Sequence, residues 1–284
     1  MAQFTNQAQL SYNNQTVNSN VAVGEIPETI SAAKTAVTET YTAEGTVTYV
    51  ISAVNSSSSP TAGVSVTDDL GGYAFGTQTL YPLNYIDGSV RLYINGVLQA
   101  APTVTAGPPL SFSGITIPAN GNMVLVYDTT VTQFAPLGGA SSIVNTATLT
   151  GVGIPTPITV SEIVTPLSEP SLTITKSIEP PIVNEGDRVT YRFVIRNFGN
   201  APAEADADVT VTDLFDPILS DLVVALDGTT LTENTDYTYV QTSGLFTTTP
   251  GRITVAPATY VQDPATGTWS VTPGETVLTV TGTI

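Results

Sequence analysis

The sequence predicts an all-β fold made of two tandem domains. Only 11% of the 284 residues are charged and 41% are hydrophobic, and threonine, valine, glycine and proline are abundant, a composition that favours short strands over helices. Short β-prone runs are separated by turn-forming pairs, which are Asp-Gly at 87–88 and 227–228 and Asn-Gly at 95–96 and 120–121. A pattern of spacings between residues also occurs twice along the chain. A chain of 284 residues accommodates two domains of ordinary size.

The repeat is measured from the two lysines, which are the only lysines in the chain. Fifteen positions separate Lys34 from Tyr49, and fifteen separate Lys176 from Tyr191. A Val-Thr-Asp motif follows each lysine at a similar distance, and a tight turn follows each motif. The two halves therefore share one plan.

Residues 4–12 predict a strand, because polar and less polar side chains alternate along them. One side of this strand carries Phe4, Asn6, Ala8, Leu10 and Tyr12. Residues 12–15 read as a turn and residues 16–24 as a second strand, so this segment is expected to form a hairpin. Its Asn-x-Ala-x-Leu signature recurs at residues 145–149, also before a turn and a second strand.

These repeats predict a division into an N-terminal hairpin (1–25), a first domain (26–165) and a second domain (166–284). The first domain closes with the 145–149 hairpin, and no third copy of that hairpin follows in the second domain. The chain therefore reads as a circular permutation, in which the closing hairpin of the second domain stands at the N-terminus. We expect that hairpin to act as a donor strand for another subunit.

Composition excludes several function classes. The net charge of -17 argues against nucleic acid and against anionic membranes as partners. Cysteine and histidine are both absent, which removes disulfides, thiolate metal sites and the usual catalytic triads, so no cofactor or metal is predicted. No signal peptide and no membrane span are visible, and the expected location is extracellular or on a cell or spore surface.

Two further candidate sites, one for calcium and one for a glycan, each have a simpler structural interpretation. The alternating acids of residues 204–208 offer oxygen ligands for calcium, although their spacing fits no known calcium loop and a solvated acidic loop is the simpler reading. Trp269 and the twelve tyrosines offer surfaces for a glycan, but such residues more often belong to a core or a strand surface.

The chain resembles the conserved-repeat domain, a family of unknown function found in tandem in bacterial surface proteins. The matching segments are Leu172–Lys176, Gly186–Tyr191, Asn197–Ala201 and Val209–Asp213 in the second domain and Val144–Ala147 in the first. The resemblance covers nearly the whole chain and is looser in the first domain. It implies immunoglobulin-like β-sandwiches on a cell surface, as in isopeptide-forming filament or pilus subunits.

Proteins of this class often form an internal amide between a strand lysine and an asparagine of the last strand. The reaction needs a desolvated, neutral lysine amine and a buried, protonated carboxylic acid. In the first domain the resemblance implies Lys34 and Asn145 as the cross-linked pair, with Asp68 as the acid. The neighbouring Asp69 is the alternative acid, and partly exposed strand lysines with turn-capping aspartates are the simpler interpretation.

In the second domain the matching residues are Lys176 and Asp213, with Asp216 as the alternative acid. The residue that matches Asn145 is Asn6, in the N-terminal hairpin. The predicted cross-link of the second domain therefore joins two subunits.

The leading hypothesis is a structural filament subunit, which polymerises with itself head-to-tail by donor-strand complementation and is locked by isopeptide bonds. An adhesin or glycan-binding stalk is the alternative. An enzyme beyond autocatalytic cross-linking is not expected, because no carboxylate pair stands out. Closure of the hairpin onto its own second domain is disfavoured, because a six-residue linker reaches only roughly 20 Å.

Overall fold

The computed structural model describes residues 2–26 and 28–284. In this part of the chain the ordered elements are β-strands, apart from one short 3-10 helix, Ala205–Ala207. The prediction of an all-β chain is confirmed. Two compact units are present, one formed by residues up to 136 with 142–165, and the other by residues 137–141 with 166–284.

The N-terminal segment is one long hairpin, and each of its two arms is divided into two strands. The first arm contains β1 (Ala2–Asn6) and β2 (Gln9–Tyr12), and the second contains β3 (Gln15–Asn18) and β4 (Ala22–Ile26). β1 pairs with β4 and β2 with β3, all antiparallel. At the tip Asn13 and Asn14 have φ values of 44° and 60°, the left-handed geometry that a two-residue hairpin turn requires. Among the described residues these strands pair only with one another.

Beyond the N-terminal hairpin, the first unit contains fourteen further strands among its described residues: β5 (Ile30–Ala36), β6 (Thr40–Tyr41), β7 (Thr46–Asn55), β8 (Thr61–Asp68), β9 (Tyr73–Phe75), β10 (Gln78–Leu80), β11 (Leu83–Tyr85), β12 (Arg91–Ile94), β13 (Val97–Leu98), β14 (Thr103–Thr105), β15 (Leu110–Ile117), β16 (Asn122–Val131), β17 (Ile143–Thr150) and β18 (Ile158–Pro166). One sheet has the order β13-β12-β16-β7-β5, with β11 also on β16, and the other β14-β15-β8-β17-β18-β6.

These two sheets form a sandwich. Long strands alternate buried with more accessible residues, as β16 does along its whole length, because successive side chains point to opposite faces. Phe112 of one sheet packs against Tyr127 of the other, with ring centroids 5.1 Å apart. The core thus lies between the sheets, as in an immunoglobulin-like domain.

The second unit contains β19 (Leu172–Glu179), β20 (Arg188–Asn197), β21 (Thr212–Leu214), β22 (Ser220–Leu226), β23 (Thr229–Thr230), β24 (Tyr237–Val240), β25 (Leu245–Thr248), β26 (Thr259–Gln262), β27 (Trp269–Thr272) and β28 (Gly274–Thr283). Its sheets have the orders β19-β20-β28-β22-β23 and β21-β25-β24, and β26 and β27 form a separate hairpin. Residues from both sheets share one core, including Phe193, Leu278 and Phe246.

Strand pairing shows that the units share one plan. Lys34 of β5 pairs with Ile51 of β7, and Lys176 of β19 pairs with Phe193 of β20, seventeen positions after the lysine in both cases. The order β5-β7-β16-β12-β13 corresponds to β19-β20-β28-β22-β23, and β8-β15-β14 corresponds to β21-β25-β24. Among the described residues, the second unit has no counterpart of the β17–β18 hairpin.

Candidate functional site

The site in the first unit is built around Lys34, which β5 directs into the core. The side chains of Lys34 and Asp68 are both 0% exposed, and Lys34 Nζ donates a hydrogen bond to Asp68 Oδ2 at 2.5 Å. The same carboxylate oxygen accepts a hydrogen bond from the hydroxyl of Tyr127 at 2.5 Å. Asp68 Oδ1 accepts from the backbone N–H of Leu70 at 2.9 Å. The amine also lies 4.7 Å from the centre of the Tyr49 ring.

Burial sets the electrostatics of this site. Desolvation lowers the pKa of Lys34 below its ordinary value, and the charge of Asp68 opposes this effect only in part. Burial also raises the pKa of Tyr49 and of Tyr127. The lysine is therefore biased toward its neutral, nucleophilic form, while both phenols keep their protons.

Asn145 completes the site from the opposite sheet. β17 alternates inward and outward residues, so Asn145 is 0% exposed. Neither its Oδ1 nor its Nδ2 makes a hydrogen bond of normal geometry, and the Tyr49 hydroxyl makes none either. The carboxamide nevertheless lies near enough to both phenols for side-chain hydrogen bonding to lower the pKa of Tyr49 and of Tyr127, against the larger effect of burial. A buried amide without partners costs about 1–3 kcal/mol, which is unusual unless the group has another role.

Strand β17 is held in place by the neighbouring acid. Asp69 Oδ1 accepts hydrogen bonds from the backbone N–H groups of Gly71 and Thr146, both at 2.9 Å. The structure therefore pairs Lys34 with Asp68, whereas Asp69 binds backbone groups. A third acid, Glu162, stands opposite Asn145 on β18, and its charge, like that of Asp69, partly opposes the lowering of the Lys34 pKa by burial. Neither Glu162 nor Tyr127 was predicted from the sequence.

Lys176 and Asp213 repeat this arrangement in the second unit with one difference. Lys176 Nζ is hydrogen-bonded to Asp213 Oδ2 and lies over three aromatic rings, with 4.5 Å to the centre of Tyr191, 5.3 Å to Phe215 and 5.5 Å to Phe193. The side chains are 41% and 18% exposed. Asp216, the alternative acid, is exposed. The second ion pair is thus open to solvent where the first is sealed.

The opening is explained by the free edge of β21. In the first unit β8 is paired on both sides, by β15 and by β17, with Ala147 opposite Asp68 and Leu149 opposite Val66. The matching strand β21 is paired by β25 alone among the described residues. Beside it runs an apolar groove of about 190 Å³, lined mainly by Leu172, Ile174, Ile195, Val209 and Val211. Leu149 stands at the corresponding place in the first unit, where it is 0% exposed.

The N-terminal hairpin carries the same signature in an exposed form. Asn6, Ala8 and Leu10 are all exposed, whereas Asn145, Ala147 and Leu149 are all 0% exposed. Phe4, Leu10 and Tyr12 are 56%, 64% and 51% exposed. Pairing shifts by one residue between β1–β4 and β2–β3, a bulge at which Gln7 Nε2 and the Ala8 N–H donate to the carbonyl and hydroxyl oxygens of Ser19. A row of apolar side chains is thus presented to solvent.

The acids of residues 204–208 lie around the 3-10 helix, and their side chains are exposed. Across residues 2–26 and 28–284, no cluster of three or more acidic side chains is arranged to hold a metal ion. Trp269 begins β27, a strand of the separate hairpin. No helix in the described part of the chain is long and apolar enough to cross a membrane.

Comparisons with known proteins find similarity in structure but none in sequence. No protein-family model matches the chain, and no curated protein is similar to it in sequence. Membership of the conserved-repeat family therefore stays a prediction. Some solved structures do align with the chain, and several of them belong to bacterial surface proteins.

The pilus backbone RrgB of Streptococcus pneumoniae is 10% identical, with 86% of this chain aligned and a TM-score of 0.35. The chain spans about half, 55%, of the length of that protein. The major pilin subunit BcpA of Bacillus cereus is 12% identical, with 95% of this chain and 73% of that one aligned and a TM-score of 0.37. The collagen-binding subdomain of the Enterococcus faecalis surface protein ACE is 12% identical, with 50% and 99% aligned and a TM-score of 0.31. At these identities and scores the likeness carries no conclusion about function.

Proposed function

We propose that this protein is the structural subunit of an extracellular or cell-surface filament. Subunits join head-to-tail by donor-strand complementation, in which the N-terminal hairpin of one subunit pairs with β21 of the next. Each junction is then locked by an amide between Lys176 and the incoming Asn6. A second amide, between Lys34 and Asn145, reinforces the first unit from within.

The observation that carries this proposal is the matched pair of lysine sites. The sealed site has the β17–β18 hairpin beside β8, and the open site has a free edge at β21. An unpaired edge beside an apolar groove favours the addition of a strand, because main-chain hydrogen bonds and side-chain burial are both gained. The donor hairpin carries the same Asn-x-Ala-x-Leu signature as residues 145–149, which pair with β8 in the first unit.

The register of the added strand follows from the first unit. Since Ala147 lies opposite Asp68, Ala8 is expected opposite Asp213. Asn6 then takes the place of Asn145 beside the lysine, and Leu10 takes the place of Leu149 and enters the groove. Donor and acceptor are different surfaces of the chain, so each contact leaves both surfaces available at the ends and assembly continues as a fibre.

The chemistry of the amide balances without any cofactor. The neutral lysine Nζ attacks the asparagine Cγ, so that an Nζ–Cγ bond forms and the Cγ–Nδ2 bond breaks. The proton lost by Nζ passes through the aspartic acid to Nδ2, which leaves as ammonia. Each cross-link lowers the mass by one ammonia.

The decisive experiment examines fibres by electron microscopy and by denaturing electrophoresis after boiling. Wild-type protein should form fibres that run as a ladder of multimers. Asn6→Ala, Lys176→Ala and Asp213→Ala should still pair strands but run as monomer after boiling. Lys34→Ala is the matched control, since its ladder should persist.

Deletion of residues 2–24 should abolish fibres altogether, because the donor strand is then absent. Fibres formed by that truncated chain would contradict strand donation. Wild-type fibres that run wholly as monomer after boiling would contradict the covalent junction alone. A protein that stays monomeric and binds a carbohydrate would instead favour the adhesin alternative.

A further inference from the structure

The proposed cross-link in the first unit needs both a proton carrier for the leaving nitrogen and a hydrogen-bond donor for the carboxamide oxygen, and the site contains one carboxylic acid beside the lysine. Asp68 must carry the proton from Lys34 Nζ to the leaving Nδ2 of Asn145. The oxygen of Asn145 gains negative charge at the same stage and needs a hydrogen-bond donor. A single acid proton cannot serve both atoms at once, so other donors are required at the oxygen.

Two buried phenols stand at this place. The rings of Tyr49 and Tyr127 stack with centroids 5.9 Å apart, and both side chains are 0% exposed. The Tyr49 hydroxyl has no hydrogen-bond partner, and neither polar atom of Asn145 has one. The Tyr127 hydroxyl donates to Asp68 Oδ2 at 2.5 Å, the oxygen that also accepts from Lys34.

We propose that the hydroxyls of Tyr49 and Tyr127 form the oxyanion site of the cross-linking reaction, donating to Asn145 Oδ1 as the Nζ–Cγ bond forms. This inference rests on the proposed Lys34–Asn145 amide. The Tyr49 hydroxyl, which is unpaired before the reaction, donates as the oxygen gains charge. Tyr127 is released when Asp68 takes the proton from Lys34, because a neutral acid is a weaker acceptor than a carboxylate. Asp68 is then free to deliver that proton to Nδ2, and ammonia leaves.

Burial keeps the two phenols suited to this role. It raises the pKa of both hydroxyls, so each remains a donor across the neutral range. The charged groups that act on the phenols and the amine are Asp68, Asp69 and Glu162. All three are acids, and none supplies a second donor to the oxygen when ionised.

The second unit contains only part of this arrangement. Tyr49 pairs with Tyr127 across β7 and β16, and the corresponding pair across β20 and β28 is Tyr191 with Val280. The junction between subunits therefore has one phenol where the first unit has two. Its amide is expected to form more slowly than the internal one.

The test follows ammonia loss by intact mass after refolding. Full-length chains are collected unfolded in guanidinium, before any cross-link has formed, and dilution into buffer starts the reaction. Tyr49→Phe and Tyr127→Phe should each slow the loss assigned to Lys34 and Asn145 by about a hundredfold, the typical effect of removing one oxyanion donor. The final mass should show the same loss of ammonia as wild type, which establishes that the variants fold and react in the end.

Tyr85→Phe is the matched control, because Tyr85 is also buried in the first unit and its hydroxyl is likewise unpaired. It should leave the rate unchanged. A rate for Tyr49→Phe and Tyr127→Phe at or above that of wild type would overturn the oxyanion assignment and leave the cross-link standing. Equal slowing by Tyr85→Phe would also overturn it, since the effect would then reflect core stability. A wild-type chain that never loses ammonia would overturn the cross-link and this assignment together.

Discussion

Lys34 shows how one residue combines stability and chemistry. Its amine is sealed between Asp68 and the Tyr49 ring, with no exposure to water. A buried ion pair adds little to stability, yet removal of one member leaves the other unpaired and costs about 3–5 kcal/mol. The proposed amide would replace the ion pair of Lys34 with a covalent bond to Asn145, which links the two sheets of the first unit.

The contributions of the ion pair and of the amide are separable by two variants. Asn145→Ala keeps Lys34 and Asp68 but prevents the amide, so the free energy of unfolding of the first unit should fall by about 4–5 kcal/mol, as for a cross-link closing a loop of roughly 100 residues. Lys34→Met should lower it by about a further 3–5 kcal/mol, because the Asp68 carboxylate is then buried without a cation. Denaturant titration of the monomers measures both. Equal stability of wild type and Asn145→Ala would speak against the internal amide.

The sequence predicts individual site residues only where the repeat or the alternation of a strand distinguishes them from their neighbours. The lysine repeat led to Lys34, Lys176 and their aspartates. It favoured Asp68 over Asp69 through the repeat alignment alone, because the repeat does not reveal which of the two side chains faces the core. Tyr127 was missed, because its contact with Asp68 crosses from one sheet to the other and leaves no local pattern.

At the scale of elements, the N-terminal hairpin and the free edge of β21 are complementary. Alternation along residues 4–12 predicted one continuous strand, which the structure divides into β1 and β2 at residues 7–8. The Asn-Asn turn predicted the tip of the hairpin as found. The bulge at Ser19 was not predicted, since it depends on a hydroxyl that bonds to the facing strand. The β26–β27 hairpin was also not foreseen, because it lies outside the repeated plan.

Leu10 provides the sharpest test of this complementarity. Leu10→Asp should abolish fibres, because a carboxylate in the apolar groove beside β21 would be desolvated without a partner. Ser11→Asp is the matched control, since the next residue of a strand points to the opposite face. It should assemble as wild type does, as judged by electron microscopy. Fibres of Leu10→Asp with normal yield would mean that Leu10 does not enter the groove.

At the scale of the whole molecule, the net charge of -17 opposes association of identical subunits. The donor hairpin contributes little to this repulsion, since its one charged side chain is Glu25. The attraction at the proposed junction is therefore apolar and main-chain in nature, while the repulsion is long-ranged and sensitive to salt.

Salt should accordingly accelerate assembly. Asn6→Ala subunits, which pair strands without forming the amide, should polymerise faster as sodium chloride is raised, because screening shortens the range of repulsion to about 10 Å at 0.1 M. Light scattering follows the rate. A rate that falls with salt would instead indicate that an attraction between opposite charges drives docking. Leu10→Asp, measured in parallel, should give no signal at any salt concentration.

The left-handed turn at Asn13 and Asn14 has a consequence for inhibition of filament growth. A linear peptide covering residues 4–12 must surrender its backbone freedom on binding, at about 1–2 kcal/mol per residue. The native donor arrives as a folded hairpin, with the turn and Ser19 already aligning its two halves. An isolated hairpin is only marginally stable in water, so an excised copy would lose this advantage. A chain terminator that copies this segment should therefore be a macrocycle, closed where β1 meets β4, with Asn6 retained if permanent capping of the fibre end is wanted.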